Sequence, residues 1–378
     1  MQSQDHRPQD QRFPDPHFSH PAISSQTDAD LRPYHTFGIT QRCAHLVPVH
    51  TVDEIVAVYH HSDWQALPKL MLGKGSNMLF TEPYQGVVMI NELQGKQVSE
   101  TNDHWRLHVA AGEDWPSLVE WSVKQGYAGL ENLALIPGCA GSAPIQNIGA
   151  YGVEFKDVCE YVDILCLDSF RVRRLSVDEC QFGYRDSVFK HDLYQKAIVV
   201  AVGLRLAKQW RANIQYGPLK DLGEQASPAD IFARVCEVRR EKLPDPTQQG
   251  NAGSFFKNPV IEMEHYQALH ERYPDMVAYS AEQGMKVAAG WLIDQCGLKG
   301  TMVGGAQVHL KQALVLVNTG TATAEDVVAL ADKVCRTVYE RYGIALEHEV
   351  RFMAAQKETR LSVITDFGAS VNSKDIHA

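Results

Sequence analysis

Short runs of apolar residues, bounded by glycine, proline and polar residues, recur along the chain and predict β-strands. The runs lie at residues 69–72, 86–91, 105–111, 161–167 and 197–206, and a last strand is predicted at 345–352. No internal repeat is evident between Tyr34 and Met353. Largely sequential strands mixed with helices favour an α+β fold over a repeated β-α-β arrangement.

Apolar positions spaced three and four residues apart predict the helices that accompany these strands. The first helix begins at the capping box Thr51-x-x-Glu54, and a second covers residues 115–123. Further helices are predicted at 227–243, at 286–296 and at 323–343. The last of these is the longest, and its regular apolar face predicts that it covers a core.

The chain has 378 residues, of which 44% are hydrophobic and 22% charged, a globular composition with room for two or three domains. Residues 1–33 are rich in polar residues and lack a secretory-signal pattern, so we predict a disordered tail. Folded regions are predicted at 34–209 and 216–352, followed by a polar tail at 353–378. No apolar run approaches the ~20 residues that span a bilayer, so no membrane segment is expected.

Charge and cysteine usage narrow the class of partner. The formal net charge is −10 without a long run of Lys or Arg, which argues against nucleic acid or an anionic membrane as the main partner. Local cations could still bind a phosphorylated substrate. The eight cysteines form no CxxC pair and no His/Cys ligand spacing, so we expect a reducing compartment, the cytoplasm, and no metal site.

Two glycine-rich segments suggest that the backbone binds phosphate groups. Residues 73–77, Gly-Lys-Gly-Ser-Asn, join two predicted strands, and glycines there would let N–H groups point at phosphate oxygens. Alone this motif is more often a hairpin turn, and it is neither a Walker loop nor a Rossmann fingerprint. Residues 137–152 lack periodicity and suit close packing against a large flat cofactor. The alternative is a glycine-rich crossover in the core.

These segments, GKGSN and IPGCAGSAPIQNIGAYG, resemble the FAD-binding domain of the UDP-N-acetylenolpyruvoylglucosamine reductase family. The similarity runs from about residue 34 to 353 and includes GYRDS at 183–187, GSFFKNP at 253–259 and EVRF at 349–352. It implies an α+β fold with a vanillyl-alcohol-oxidase-like (PCMH-type) FAD-binding domain of two subdomains and a C-terminal α+β substrate-binding domain. It also implies non-covalent FAD and NADPH as the hydride donor. The residues expected to hold FAD are Gly73, Lys74, Gly75, Ser76, Asn77, Pro137, Gly138, Gly141, Ser142, Gly149 and Arg351.

Reduction of an enolpyruvyl double bond needs a hydride at one carbon, stabilisation of the developing enolate, and a proton at the second carbon. The resemblance assigns the proton to Ser254 and the enolate to Arg185 and Glu349. By residue type alone, Ser254 would more often be a turn or cap residue and Arg185 a structural ion-pair partner. An isolated hydroxyl is a weak acid, so Ser254 needs neighbouring cations or a relay.

The last predicted strand would put Glu347, Glu349 and Arg351 on one face, since strand side chains alternate. Three charged residues in such a row more often mark a solvated face. The resemblance instead brings Glu349 to the active site and Arg351 to the flavin. His348 stands where the family often has proline, which puts only the local turn geometry in doubt.

The nucleotide sugar needs donors for two phosphates. Arg239 and Lys242 lie three residues apart on one face of a predicted helix, which alone would more often be a solvated face. The resemblance implies substrate contacts at Tyr216, Arg239, Lys242, Asn258 and Gln312. Tyr216 is similar to the tyrosine of a subclass in which a tyrosine-bearing loop closes over the substrate.

The implied activity is reduction of UDP-N-acetylglucosamine enolpyruvate to UDP-N-acetylmuramate in peptidoglycan precursor synthesis. NADPH would reduce FAD and leave, the substrate would enter the same cleft, and flavin N5 would deliver hydride; a monomer is expected. Two alternatives are an FAD-linked alcohol oxidase and a non-catalytic flavin- or nucleotide-sugar-binding sensor. The nucleotide-sugar residues argue against the first, and intact Arg185, Ser254 and Glu349 argue against the second.

Overall fold

The computed structural model describes residues 23–365, and its first sheet has a parallel centre with an antiparallel edge. The elements here are β1 (Gln26–Asp30), β2 (Arg42–Val49), α1 (Val52–His60), β3 (Lys69–Leu72), β4 (Met78–Phe80) and β5 (Tyr84–Asn91). The sheet order is β1-β2-β5-β3, with β1 antiparallel and the other three strands parallel. Val88 packs into a core on one face and Val87 into a core on the other, so these strands are almost continuously apolar.

The second sheet is antiparallel throughout. Its region contains β6 (Lys96–Glu100), β7 (His104–Ala110), α2 (Trp115–Lys124), β8 (Gly149–Ala150), β9 (Val153–Glu154), α3 (Phe155–Val158), β10 (Cys159–Cys166), β11 (Arg171–Ser176) and β12 (Ala197–Ala207). The sheet order is β11-β10-β12-β7-β6. One face carries helix α2 over a large apolar core, while Leu165, Ile198 and Val200 pack against the first sheet.

Helix α4 (Pro228–Lys242) packs against the core of the second sheet through Ile231, Val235 and Cys236. Helix α4 was predicted as part of the second region, 216–352, but it packs on the core of the region before it. Where a helix packs depends on its apolar face and not on its position along the chain.

The C-terminal region contains small sheets around one long helix. Its elements are β13 (Asn251–Ser254), β14 (Val260–Ile261), α5 (Met263–Arg272), β15 (Ala278–Ser280), β16 (Met285–Val287), α6 (Ala289–Gln295), β17 (Met302–Val303), β18 (Ala306–Val308), β19 (Val315–Asn318), α7 (Ala324–Tyr342), β20 (Arg351–Met353), β21 (Glu358–Thr359) and α8 (Leu361–Ile364). The sheets have the orders β13-β19-β18-β17 and β14-β16-β15. Helix α7 begins at the capping box of Thr323 and Asp326 and ends at Gly343, whose φ is 66°.

A third small sheet returns the end of the described chain to its beginning. Strand β20 pairs in parallel with β4, with Arg351 opposite Met78, and β21 pairs with β20 in the order β21-β20-β4. Because β4 follows the first glycine-rich segment, this pairing brings the EVRF motif to residues 73–77.

Parts of both predicted tails, 1–33 and 353–378, form regular elements in the structure. Residues 26–30 form the edge strand β1, which is ordered by hydrogen bonds to β2 although only Ala29 of this strand is buried. Residues 358–364 form β21 and α8 instead of a tail. Residues 1–22 and 366–378, which hold the rest of both predicted tails, lie outside the described residues.

Two predicted elements have different bounds in the structure. The helix predicted at 286–296 begins only at Ala289, because Lys286 pairs with Val260 and Tyr279 in a sheet. The strand predicted at 345–352 is confined to Arg351–Met353. Across residues 23–365, no helix combines the length and apolar character needed to cross a membrane.

Candidate active site

A cleft of about 1340 Å³ lies between the glycine-rich segments, residues 184–199 and the C-terminal return. It exceeds the roughly 300–1,000 Å³ typical of small-molecule sites, so it has room for a large cofactor. The predicted site residues that line it are Gly73, Lys74, Gly75, Ser76, Asn77, Pro137, Gly141, Ser142, Arg185, Glu349 and Arg351. The predicted residues outside its lining are Gly138, Gly149, Tyr216, Arg239, Lys242, Ser254, Asn258 and Gln312.

The first glycine-rich segment presents free backbone donors. The N–H groups of residues 73–77 donate no hydrogen bond to any other described residue. The Ser76 hydroxyl donates to the Pro137 carbonyl at 2.9 Å, and the Asn77 amide donates to the Gln146 side chain at 2.9 Å. These bonds fix the segment against the second one while leaving its N–H groups available. Such a row of donors fits the pyrophosphate of a dinucleotide.

The second segment is a wall whose own polar groups are largely satisfied. The N–H groups of Ala140 and Gly141 donate to the carbonyls of Glu113 and Ala111, and Ser142 accepts from the N–H of Cys139. A side chain at Gly141 would come within 2.5 Å of the Ala111 methyl group. This glycine is needed for close packing, and the resulting smooth wall fits a flat ring system.

The other glycines of the cleft also serve close packing. A Cβ at Gly73 would lie 2.5 Å from the Cys139 sulfur, and one at Gly75 would overlap the backbone of residues 34–35. Gly138 has a φ of 142°, and its Cβ would lie 2.9 Å from the Ser142 hydroxyl. Lys74, between the first two glycines, is exposed.

Arg185 and Glu349 meet at the cleft. The Arg185 Nε lies 3.3 Å from a Glu349 carboxylate oxygen, and its Nη2 donates to the Gly149 carbonyl at 2.9 Å. Burial raises the pKa of Glu349, whereas the neighbouring charges of Arg185, Lys190 and Lys257 lower it. The Arg185 guanidinium, held in place by Glu349, is suited to stabilising negative charge that develops beside it.

Ser254 lies beside this ion pair along the backbone. It ends strand β13, and the next residue, Phe255, accepts a 2.8 Å hydrogen bond from the N–H of Glu349. The Glu349 carbonyl in turn accepts from the Asn77 amide at 3.2 Å. Ser254 is half-buried, and its hydroxyl has no hydrogen-bond partner among the described residues. The chain therefore brings Ser254, Glu349 and the first glycine-rich segment into one neighbourhood.

The prediction that Glu347, Glu349 and Arg351 share one face of a strand is wrong. The side chain of Glu347 is 76% exposed, whereas that of Glu349 is 13% exposed. Regular strand geometry begins only at Arg351, because residues 347–349 instead bond with residues 255–257. The ring of His348 bridges this turn, donating to the Val350 carbonyl at 2.7 Å.

Arg239 and Lys242 lie three residues apart on α4, as predicted, but they differ in burial. The Arg239 Nε is buried with no hydrogen-bond partner among residues 23–365, and burial lowers the pKa of this guanidinium. The side chain is electrostatically coupled to Tyr151 and Arg185. Lys242, the last residue of α4, is exposed.

Two of the three other predicted substrate residues, Asn258 and Tyr216, lie near Tyr184, which is 44% exposed. The Asn258 side chain hydrogen-bonds to Tyr184 and accepts from the N–H of Ala289 at 3.0 Å. Tyr216 is half-exposed and packs edge-on against Tyr151, with ring centroids 6.2 Å apart. Gln312 precedes β19, where its side-chain oxygen accepts from the Leu314 N–H.

Comparisons with known proteins identify both parts of this arrangement. An FAD-binding-domain model matches residues 43–173, and the model of the C-terminal domain of UDP-N-acetylenolpyruvoylglucosamine reductase matches residues 245–353. The reductase of that name from Vibrio vulnificus is 63% identical over 333 residues, covering 88% of this chain and 96% of the relative. The chain belongs to the UDP-N-acetylenolpyruvoylglucosamine reductase family.

Further relatives of this reductase family agree in sequence and in fold. A Vibrio cholerae reductase of that name is 62% identical, covering 89% of this chain and 97% of the relative. The crystal structure of the Thermus caldophilus reductase is 27% identical with a TM-score of 0.61, covering 88% of this chain and 99% of that one. The predicted α+β fold with a PCMH-type FAD-binding domain is confirmed, and the chain is a flavin-dependent oxidoreductase.

Three residues that line the cleft, Lys190, Tyr194 and Glu358, were not predicted from the sequence. Arg351 donates to Glu358 through Nε at 3.0 Å and Nη2 at 2.8 Å, and the Tyr194 hydroxyl donates to the same carboxylate at 3.1 Å. Lys190 donates to the Arg185 carbonyl at 2.6 Å. Lys190 and Tyr194 follow the GYRDS motif closely, which was a usable signal, whereas Glu358 lies in a polar stretch that carries none.

Proposed function

We propose that this protein reduces UDP-N-acetylglucosamine enolpyruvate to UDP-N-acetylmuramate, using non-covalently bound FAD and NADPH. The observation that carries the proposal is the Arg185–Glu349 ion pair, which adjoins both the free hydroxyl of Ser254 and the unbonded N–H groups of residues 73–77. The name shared by relatives at 62–63% identity supports the same reaction.

FAD would be held by the two glycine-rich segments. The N–H groups of residues 73–77 would bind its pyrophosphate, the wall at 137–142 would pack against it, and Arg351 would lie near the flavin. When bound, FAD supplies hydride after reduction by NADPH. We also propose that NADPH and the substrate use the cleft in turn, since both must reach the flavin.

Arg185 binds and orients the enolpyruvyl carboxylate in this proposal. A planar guanidinium donates to a carboxylate in a bidentate manner, and its bonds to Glu349 and the Gly149 carbonyl restrict where it points. Together Arg185 and Glu349 stabilise the enolate in this proposal.

Ser254 donates the proton to the second carbon. Its hydroxyl is not committed to another described residue, so it is available to the substrate. In this proposal the charged pair of Arg185 and Glu349, which is joined to the residue after Ser254 by the Glu349 N–H bond to the Phe255 carbonyl, supplies the support that an isolated hydroxyl would need.

The nucleotide sugar would lie beyond this group, along Tyr216, Arg239, Lys242, Asn258 and Gln312. The unpartnered buried Nε of Arg239 supports a phosphate contact, because a buried guanidinium donor without an acceptor is costly. The half-exposed Tyr216 beside Tyr151 supports membership of the subclass with a substrate-capping tyrosine loop. Action as a monomer in the cytoplasm, within peptidoglycan precursor synthesis, completes the proposal.

The first test is Ser254→Ala, followed anaerobically through the flavin absorbance. We expect NADPH to bleach the flavin at the wild-type rate, while recovery of the oxidised spectrum by the enolpyruvate slows about 10²–10⁴-fold, the usual contribution of a general acid. The matched control is Ser99→Ala on the exposed edge strand β6, which should behave as wild type.

Two results would contradict this assignment. Recovery of Ser254→Ala at the wild-type rate would remove Ser254 as the proton donor. Recovery of the wild-type protein only on admission of oxygen would favour an oxidase and sink the proposed substrate.

A further inference from the structure

Arg185 has an unusual backbone conformation for a residue with a side chain. Its φ is 54°, in the left-handed region, which is unfavourable for a residue other than glycine. Such a conformation persists only where surrounding contacts hold it. The guanidinium that emerges from it reaches the Gly149 carbonyl and Glu349, so the backbone geometry decides where the group points.

The turn around Arg185 is closed by paired backbone hydrogen bonds between Gly183 and Asp186, and a side-chain contact to it comes from Lys190. Its ammonium group donates to the Arg185 carbonyl oxygen at 2.6 Å, and no other hydrogen bond or ion pair of this side chain occurs among residues 23–365. Lys190 ends a 3₁₀ turn, Val188–Lys190, that directly follows the GYRDS motif. The carbonyl of Arg185 is thereby tied to the turn five residues later.

The charges around Lys190 argue that it is not an ordinary surface lysine. Its ammonium is removed from water, repelled by Lys257 and Arg351, and attracted by Glu349 and Asp186. Lys257, by contrast, pairs with the exposed Glu347 at 3.2 Å. Keeping a cation half-buried beside other cations is unfavourable unless hydrogen bonds or opposite charges compensate it, and the hydrogen bond of Lys190 goes to the Arg185 carbonyl.

We propose that Lys190 is a positioning residue, which fixes the left-handed backbone at Arg185 and so aims the guanidinium at the substrate's carboxylate. This inference rests on the proposed function. It makes Lys190, Arg185 and Glu349 one unit, in which Lys190 acts through Arg185 and does not touch the substrate. Loss of Lys190 therefore affects the substrate half-reaction and leaves flavin reduction by NADPH in place.

The test compares Lys190→Met, Arg185→Ala and the double variant as holoenzymes in a stopped-flow instrument. We expect Lys190→Met to slow reoxidation of the reduced flavin by UDP-N-acetylglucosamine enolpyruvate ~10–100-fold, because small misplacements of a binding group have effects of this size. Reduction by NADPH should stay within about twofold. If Lys190 acts through Arg185, the double variant is no slower than Arg185→Ala alone, whereas independent effects would multiply.

Two further variants separate positioning from folding. Lys196→Met makes the same change at an exposed lysine of the same loop and should match wild type. Lys190→Arg keeps the cation and its donors and should recover most of the rate, even if Lys190→Met folds poorly.

The inference is overturned if Lys190→Met reoxidises within twofold of wild type, if its effect multiplies with that of Arg185→Ala, or if a folded Lys190→Arg is as slow as Lys190→Met. A wild-type flavin that the enolpyruvate fails to reoxidise would instead overturn the proposed function, and the inference with it.

Discussion

Gly149 lies against the Arg185 guanidinium with no room for a side chain. A Cβ there would come within 3.1 Å of Arg185 Nη1 and 3.0 Å of the Glu154 Cγ. The carbonyl of the same residue accepts from Arg185 Nη2. This glycine was predicted to contact FAD, but the contacts of the described residues connect it to Arg185, and it does not line the cleft.

Gly149→Ala should therefore impair the substrate half-reaction more than cofactor binding. The added methyl group displaces the guanidinium, and we expect reoxidation by the enolpyruvate to slow by about tenfold or more. Titration of the apoprotein with FAD should give an affinity within about twofold of wild type. Gly183→Ala is the control, because its Cβ meets Asp186 at an ordinary 3.4 Å. Equal loss of FAD affinity and rate would refute this role.

Individual site residues could be predicted from the sequence where they belong to a motif. The contacts between residues of different motifs could not be predicted. Arg185 and Glu349 were named from separate motifs, and their 3.3 Å ion pair depends on tertiary structure alone. Alternation along a strand wrongly grouped Glu347 with Glu349, because the backbone before Arg351 pairs with residues 255–257 and not within a regular strand. Spacing on α4 correctly put Arg239 and Lys242 in one helix, but it gave no sign that only Arg239 would be buried.

At the scale of elements, the hairpin of β20 and β21 changes the account of the C-terminus. Residues 353–378 were predicted to be a tail because they are polar, yet residues 356–362 line the cleft. They are ordered by backbone pairing and by the bonds of Glu358 to Arg351 and Tyr194. Long amphipathic elements such as α7 were predicted well, whereas short polar strands such as β1 and β21 leave no apolar pattern.

Glu358→Gln should weaken FAD binding by about tenfold. The two bonds between Arg351 and the carboxylate are charge-assisted, and an amide replaces them with weaker ones, which leaves Arg351 less fixed beside the flavin. Fluorescence titration of the apoprotein with FAD measures the change. Glu340→Gln, on the exposed side of α7, is the control. Unchanged affinity in Glu358→Gln would show that this hairpin does not order the cofactor site.

For the whole molecule, buried histidines set how stability depends on pH. Burial lowers the pKa of His35 and of His348 below the ordinary 6.5. Below pH 6.5 the unfolded chain takes up protons that the folded protein refuses, so the free energy of unfolding falls as the pH falls. Burial raises the pKa of Glu349, which acts in the opposite direction at pH values above its ordinary 4.5.

His348→Gln should reduce this loss of stability on acidification. The ring donates to the Val350 carbonyl through Nδ1 and accepts from the Leu361 N–H through Nε2, so a second proton has no acceptor there. The charge of Glu358 raises the pKa of His348, whereas the charges of Lys257 and Arg360 lower it further. Urea unfolding between pH 7.5 and 5.5 should show a shallower fall than wild type, by up to ~1.4 kcal/mol per pH unit below 6.5. The exposed His270→Gln is the control, and a slope equal to wild type in His348→Gln would contradict the assignment.

The parallel pairing of β4 with β20 also determines when the cleft can form. The bond from Asn77 to the Glu349 carbonyl joins residues 272 positions apart in the chain. The first two sheets contain their own cores and can assemble early during synthesis, since domains fold as units from the N-terminus. The wall of the cleft that contains Glu349, Arg351 and Glu358 is added last. A nascent chain of this protein therefore has a folded N-terminal region long before it has a complete place for its cofactor.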